Sequence, residues 1–210
     1  MGALLDKLVD WDRLNDSPIH FSLLALDLER GEEVWWTNRT DRITRSHILA
    51  ATALPPLLPP VEIDGRRLWD GGLSSNLPVS RAFADPPEHP VLVIASDLYA
   101  PDGATPGSLD GSATRAQDLA FARQAAKEIE GLRRERELSR RLDPALPPAI
   151  LAHLALLPPA HQRVLKALDY SATALRERTT QGRADMEATL ARLKAAPRNE
   201  ALAIVRLPHR

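Results

Sequence analysis

Apolar and polar positions alternate over short stretches in the first half of the chain and over long ones in the second. Phe21 to Leu28 is rich in apolar side chains and runs into Glu-Arg-Gly-Glu-Glu. Val34, Trp35, Trp36 and Thr37 then form a second strand-favouring run, so the pattern predicts a hairpin turning around Gly31. Thr44 to Ala53 has the composition of a short helix. It must stop at Leu54-Pro55-Pro56, because a proline pushes the residue before it out of the helical region. Between Pro59 and Asp70 two short strands are predicted around Asp64-Gly65, which puts Asp70 at a strand end, just before flexible backbone. Val91 to Ser96 is a continuous apolar run bounded by Pro90 and Asp97, the pattern of a strand covered on both faces.

The rhythm changes after the Gly, Pro and Ser rich stretch from Pro101 to Ser112. Thr114 to Leu142 reads as a long helix, and its Arg133, Arg134, Glu135, Arg136 and Glu137 mix both signs of charge as a solvated face does. Further helices are predicted over Pro147 to Leu157 and Pro159 to Ala195, each opening near a proline whose missing N–H is harmless there. Ala201 to Leu207 reads as a short strand returning to the sheet. The expected organisation is therefore α/β: sheet over residues 1–100, a loop over 101–112, and a mainly helical part over 113–210 with a short final strand.

Composition narrows the function classes. Apolar residues make up 44% and charged residues 26% of the 210, a globular balance that a disordered tail or a membrane span would not have. The net charge of −1 supplies no excess of positive charge to neutralise phosphates, so nucleic acid is not an expected partner. With no cysteine, disulfides and thiolate chemistry are excluded. The six histidines, His20, His47, His89, His153, His161 and His209, show no paired spacing; no metal site and no cofactor are expected. Met1 to Asp10 is amphipathic (Leu4, Leu5, Leu8, Val9) but too short and too charged for an export signal, and a cytoplasmic protein, peripheral at the membrane, is expected. Trp35, Trp36, Trp69, Leu57 and Leu58 are candidates for an apolar rim that meets lipid, with packing in the core or on a sheet face as the competing fate of most of them.

Asp70-Gly71-Gly72 by itself is a common turn, because Asp and Gly both favour turn geometry. Its surroundings are more specific. Ala50-Ala51-Thr52-Ala53-Leu54-Pro55, Leu58-Pro59-Pro60-Val61, Ile63-Asp64-Gly65, Leu68-Trp69-Asp70-Gly71-Gly72-Leu73 and Ser75-Asn76-Leu77-Pro78 follow one another in that order. This course, from about His47 to Val79, resembles the patatin-like phospholipase family, in particular a bacterial subgroup with a helical extension after the catalytic domain. The resemblance implies a partial patatin-like α/β/α sandwich in which residues 1–100 correspond to the C-terminal half of the catalytic domain. It also implies hydrolysis of acyl esters in lipids by a Ser-Asp dyad. Asp70 would accept the serine proton and return it to the leaving alcohol. Gly71 and Gly72 would let the backbone come close to the nucleophile turn, and Asn76 would fix the loop through its amide.

The serine is missing. No Gly-x-Ser-x-Gly occurs in the chain: Ser74 and Ser75 have no glycine two places on, and Ser112 follows Gly111 inside a predicted loop. No glycine-rich oxyanion loop precedes a helix in the first half either. The chain is thus expected to be inactive alone. Either it is part of an acyl hydrolase, as a truncated product or a chain that needs its missing N-terminal half, or it is a non-catalytic scaffold or partner-binding remnant.

Overall fold

The computed structural model describes residues 2–85, 87–103, 105–157 and 169–207. The chain divides into two compact units, Met1–Asn76 and Leu77–Arg210.

The first unit is built on an antiparallel sheet. Helices α1 (Gly2–Leu8) and α2 (Trp11–Asn15) lead into strands β1 (Ser22–Asp27) and β2 (Glu33–Thr37); helix α3 (Arg45–Ala51) and strands β3 (Val61–Ile63) and β4 (Arg66–Asp70) follow. The strand order is β2-β1-β4-β3. The β1–β2 hairpin pairs Ser22 with Thr37 and Leu26 with Glu33, and its turn places Gly31 at φ 67°, where a side chain would be strained. Asp27 shapes that turn, its Oδ1 accepting the N–H groups of Glu29 and Arg30 at 3.0 and 3.1 Å. Strands β3 and β4 join through Asp64 and Gly65 at φ 51° and 72°, the primed turn that Asp-Gly favours. Period-two alternation sends Leu23, Ala25, Trp36 and Leu68 to one face, where Ile43 and Ala50 close the core. His47 seals the start of α3 by accepting the Thr44 N–H at 2.9 Å, and its ring meets Trp36 edge-on at 4.7 Å.

The second unit is a parallel sheet, β5-β6-β7 in order, made of β5 (Val91–Asp97), β6 (Ala149–Ala155) and β7 (Ala203–Arg206), with helices α4 (Leu109–Leu142) and α5 (Ala172–Leu193) as the intervening elements. Ala125, Ile129 and Leu132, spaced to share one side of α4, pack with Ala95, Ala149, Leu151 and Leu202. One turn further along α4, buried Arg136 donates to the carbonyls of Ala201 at 2.8 Å and Pro147 at 2.6 Å. Its guanidinium lies 4.6 Å from the centre of the Phe83 ring. It thereby fastens the chain just before β6 and just before β7.

Several elements differ from expectation. Residues 149–155 are a strand and not part of a helix. Ala-Ile-Leu-Ala-His-Leu-Ala is a short apolar run that periodicity cannot assign, and pairing on both sides, with β5 and β7, overrides the helix preference of its alanines and leucines. Helix α4 begins five residues early, at Leu109, because Ser108 caps it by accepting the Gly111 N–H at 3.1 Å. Of the long helix expected from Pro159, Ala172–Leu193 is helical, and residues 159–168 lie outside the described ones. The strand Val91–Asp97 does not join the strands of the first 76 residues; its pairing partner is β6. Nor is it covered on both faces, since Leu92 and Ile94 are 51% and 49% exposed.

Candidate active site

Asp70 ends β4 opposite Ala25 of β1, so its side chain starts from the core face of the sheet. Its own N–H is fixed by the Ala53 carbonyl at 3.1 Å, at the end of the α3 segment. The side chain folds back over the next turn: Oδ1 accepts the Gly72 N–H at 2.8 Å, capping a single 3-10 turn at Gly71–Leu73. Among the described residues no donor occupies Oδ2, which leaves that oxygen able to take a proton. Burial raises the Asp70 carboxyl above its ordinary value, and the Gly72 hydrogen bond pulls the other way without cancelling it.

The two glycines are crowded to different degrees. A Cβ on Gly71 would stand 2.3 Å from Leu24 Cγ and 2.6 Å from the Leu24 carbonyl oxygen, so the turn is pressed against β1 backbone. On Gly72 it would meet Asp70 Oδ1 at 3.1 Å and Asn76 Oδ1 at 3.2 Å. Asp70, Gly71, Gly72 and Asn76 therefore come together in one turn, with the Asn76 amide closing over Gly72.

Ser74 and Ser112 have other occupations. Ser74 donates to Glu33 Oε1 at 2.6 Å, and Glu33 also accepts from the Trp35 indole at 3.0 Å. Ser112 lies in the first turn of α4, its hydroxyl bonded to the Ser108 carbonyl at 2.9 Å. The tryptophans divide. Trp36 is buried in the first unit's core, and Trp35 and Trp69, at the other parity of their strands, are half-buried. Leu57 and Leu58 remain exposed. No helix among the described residues is long and apolar enough to cross a membrane.

One polar pair of the second unit escaped the reading of the histidines as scattered. Asp97, at the end of β5, and His153, two register positions back on β6, are bonded at 3.0 Å with Asp97 buried. Asp97 Oδ1 also accepts the Tyr99 N–H at 2.9 Å. The available signal was a polar residue in each of two apolar runs.

Residues 5–83 match the family model described as patatin-like phospholipase. No curated protein matches the chain significantly. The matched stretch contains the whole turn from Asp70 to Asn76 together with the sheet that carries it. Over residues 5–83, then, this chain is similar to the patatin-like phospholipases, a family of lipid acyl hydrolases.

Proposed function

We propose that the chain carries the acid half of a patatin-like Ser-Asp acyl hydrolase, with Asp70 as the proton acceptor and the serine and oxyanion donors supplied by polypeptide outside these 210 residues. The observation that carries this reading is the Asp70 turn inside the matched stretch: one carboxylate oxygen held by Gly72, the other open, and burial raising its proton affinity. A serine hydroxyl brought to the open oxygen would lose its proton as it attacked an ester carbonyl, and the alcohol would leave with that proton. Gly71 and Gly72 serve by close approach, and Asn76 by bracing the turn.

The test is hydrolysis of a short-chain ester and of phospholipid by the purified chain, by a version joined to any upstream Gly-x-Ser-x-Gly segment, and by its Asp70→Asn variant. Turnover in the joined form alone, abolished by Asp70→Asn, is expected. A silent joined form assigns the chain to the other reading, a non-catalytic scaffold, which the absence of the serine motif favours.

A further inference from the structure

The segment from Leu54 to Pro60, Leu-Pro-Pro-Leu-Leu-Pro-Pro, contains no polar side chain. Leu57 and Leu58 at its tip are 53% and 38% exposed. A pair of exposed leucines alone means little; the main chain beneath them is the stronger observation. Four of the seven residues are prolines and have no N–H to desolvate. Of the remaining three, Leu54 donates to the Thr52 carbonyl at 3.0 Å and Leu58 to the Leu54 carbonyl at 3.1 Å. Only the Leu57 N–H is left. Leaving water for hydrocarbon is opposed chiefly by unsatisfied backbone donors and acceptors; this segment has few donors left, and its carbonyls, of which that of Leu54 is taken by Leu58, stay hydrated at the depth of a bilayer interface.

The segment is also tied to the candidate acid. Ala53, the residue before it, accepts the Asp70 N–H at 3.1 Å. Beyond Asp70 the chain exposes a third leucine, Leu73, at 36%. The first 76 residues hold twelve acidic and eight basic side chains, which disfavours an anionic surface.

We propose that Leu57 and Leu58 form a lipid-contact loop that enters the interface of a zwitterionic bilayer beside Asp70. This rests on the acyl hydrolase reading for its purpose but not for its physics, because insertion requires no nucleophile.

Binding is measured on the purified full chain with phosphatidylcholine vesicles, by co-sedimentation and by a fluorophore. The chain has no cysteine, so Leu57→Cys takes an environment-sensitive label at one position, and Arg141→Cys on α4 provides the control. Expected are a blue shift at position 57 and none at 141. Leu57→Ser/Leu58→Ser, with the prolines kept and folding verified by circular dichroism, should weaken vesicle affinity by about an order of magnitude per leucine. Three results would overturn the proposal: no vesicle binding by the parent chain, binding unchanged in the double variant, or a vesicle-free dimer that the double variant dissolves, which would give the surface to a second copy. If vesicles bind as expected while the serine-joined form stays silent on esters, the loop stands and the hydrolase reading falls. The reverse pattern sinks the loop alone.

Discussion

The Asp70 turn and the parallel sheet of residues 77–210 hold their backbones in opposite ways. Around Asp70 the constraint is polar and steric: hydrogen bonds from Gly72 and to Ala53, and a glycine with no room for a methyl group. In the parallel sheet it is distant and apolar, with Ala125, Ile129 and Leu132 of α4 packing among strand residues far away in sequence. A turn fixed by contact is exacting about single atoms; a core fixed by packing tolerates changes that keep volume.

The sharpest test of this contrast is Gly71→Ala. With Leu24 backbone 2.6 Å from the new Cβ, neither neighbour has space to yield, and a loss of about 3 kcal/mol is expected in urea unfolding. Hydrogen exchange should locate the loosening in β1 and β4. Arg136→Ala comes next, at about 2 kcal/mol, because it strips charged donors from two carbonyls and also removes the buried stem that lies beside the Phe83 ring. A Met there, which restores the stem but not the donors, separates packing from hydrogen bonding. If Met recovers everything, the second unit is governed by packing alone.

A smaller effect divides two carboxylates by sign. At Asp70 burial raises the carboxyl above its ordinary value of 3.8. The folded state therefore holds its proton more tightly than the unfolded one, and stability falls as pH rises from 3.8 through the raised value. Asp70→Asn should raise the Tm at pH 7, with the gain gone below 3.8. At Asp27 burial also pushes upward, but the N–H groups of Arg30 and Glu29 and the charges of Arg30 and Arg66 outweigh it. Its carboxyl ends below 3.8, so its contribution is present above that pH and fades as pH falls through the lowered value. Asp27→Asn should therefore cost stability at pH 7. Least of all, Ile94→Thr on the half-exposed face of β5 should change stability by no more than about 0.5 kcal/mol.

Legibility in the sequence followed the range of the interactions that decide each element. The β3–β4 hairpin was readable because Asp64-Gly65 fixes its own turn, and with it the position of Asp70. The resemblance to patatin-like phospholipases was carried by motifs lying within some thirty residues, and the family match covers that stretch. Residues 149–155 were not readable as strand, since their identity depends on β5 and β7, more than fifty residues before and about fifty after. Gly71 illustrates the remaining gap. Its type is explained by the Leu24 backbone pressed against it, a contact across β1 and β4 that no local pattern encodes.

The bond from the Asp70 N–H to the Ala53 carbonyl makes the acid's own amide a reporter of mechanical load. A displacement of Ala53 by the proline-rich connection between α3 and β3 acts on that bond, and an amide proton whose acceptor is displaced exchanges faster with solvent. The exchange rate at position 70, read residue by residue, is thus a strain gauge for that connection, measurable without turnover and independent of whether a serine ever arrives.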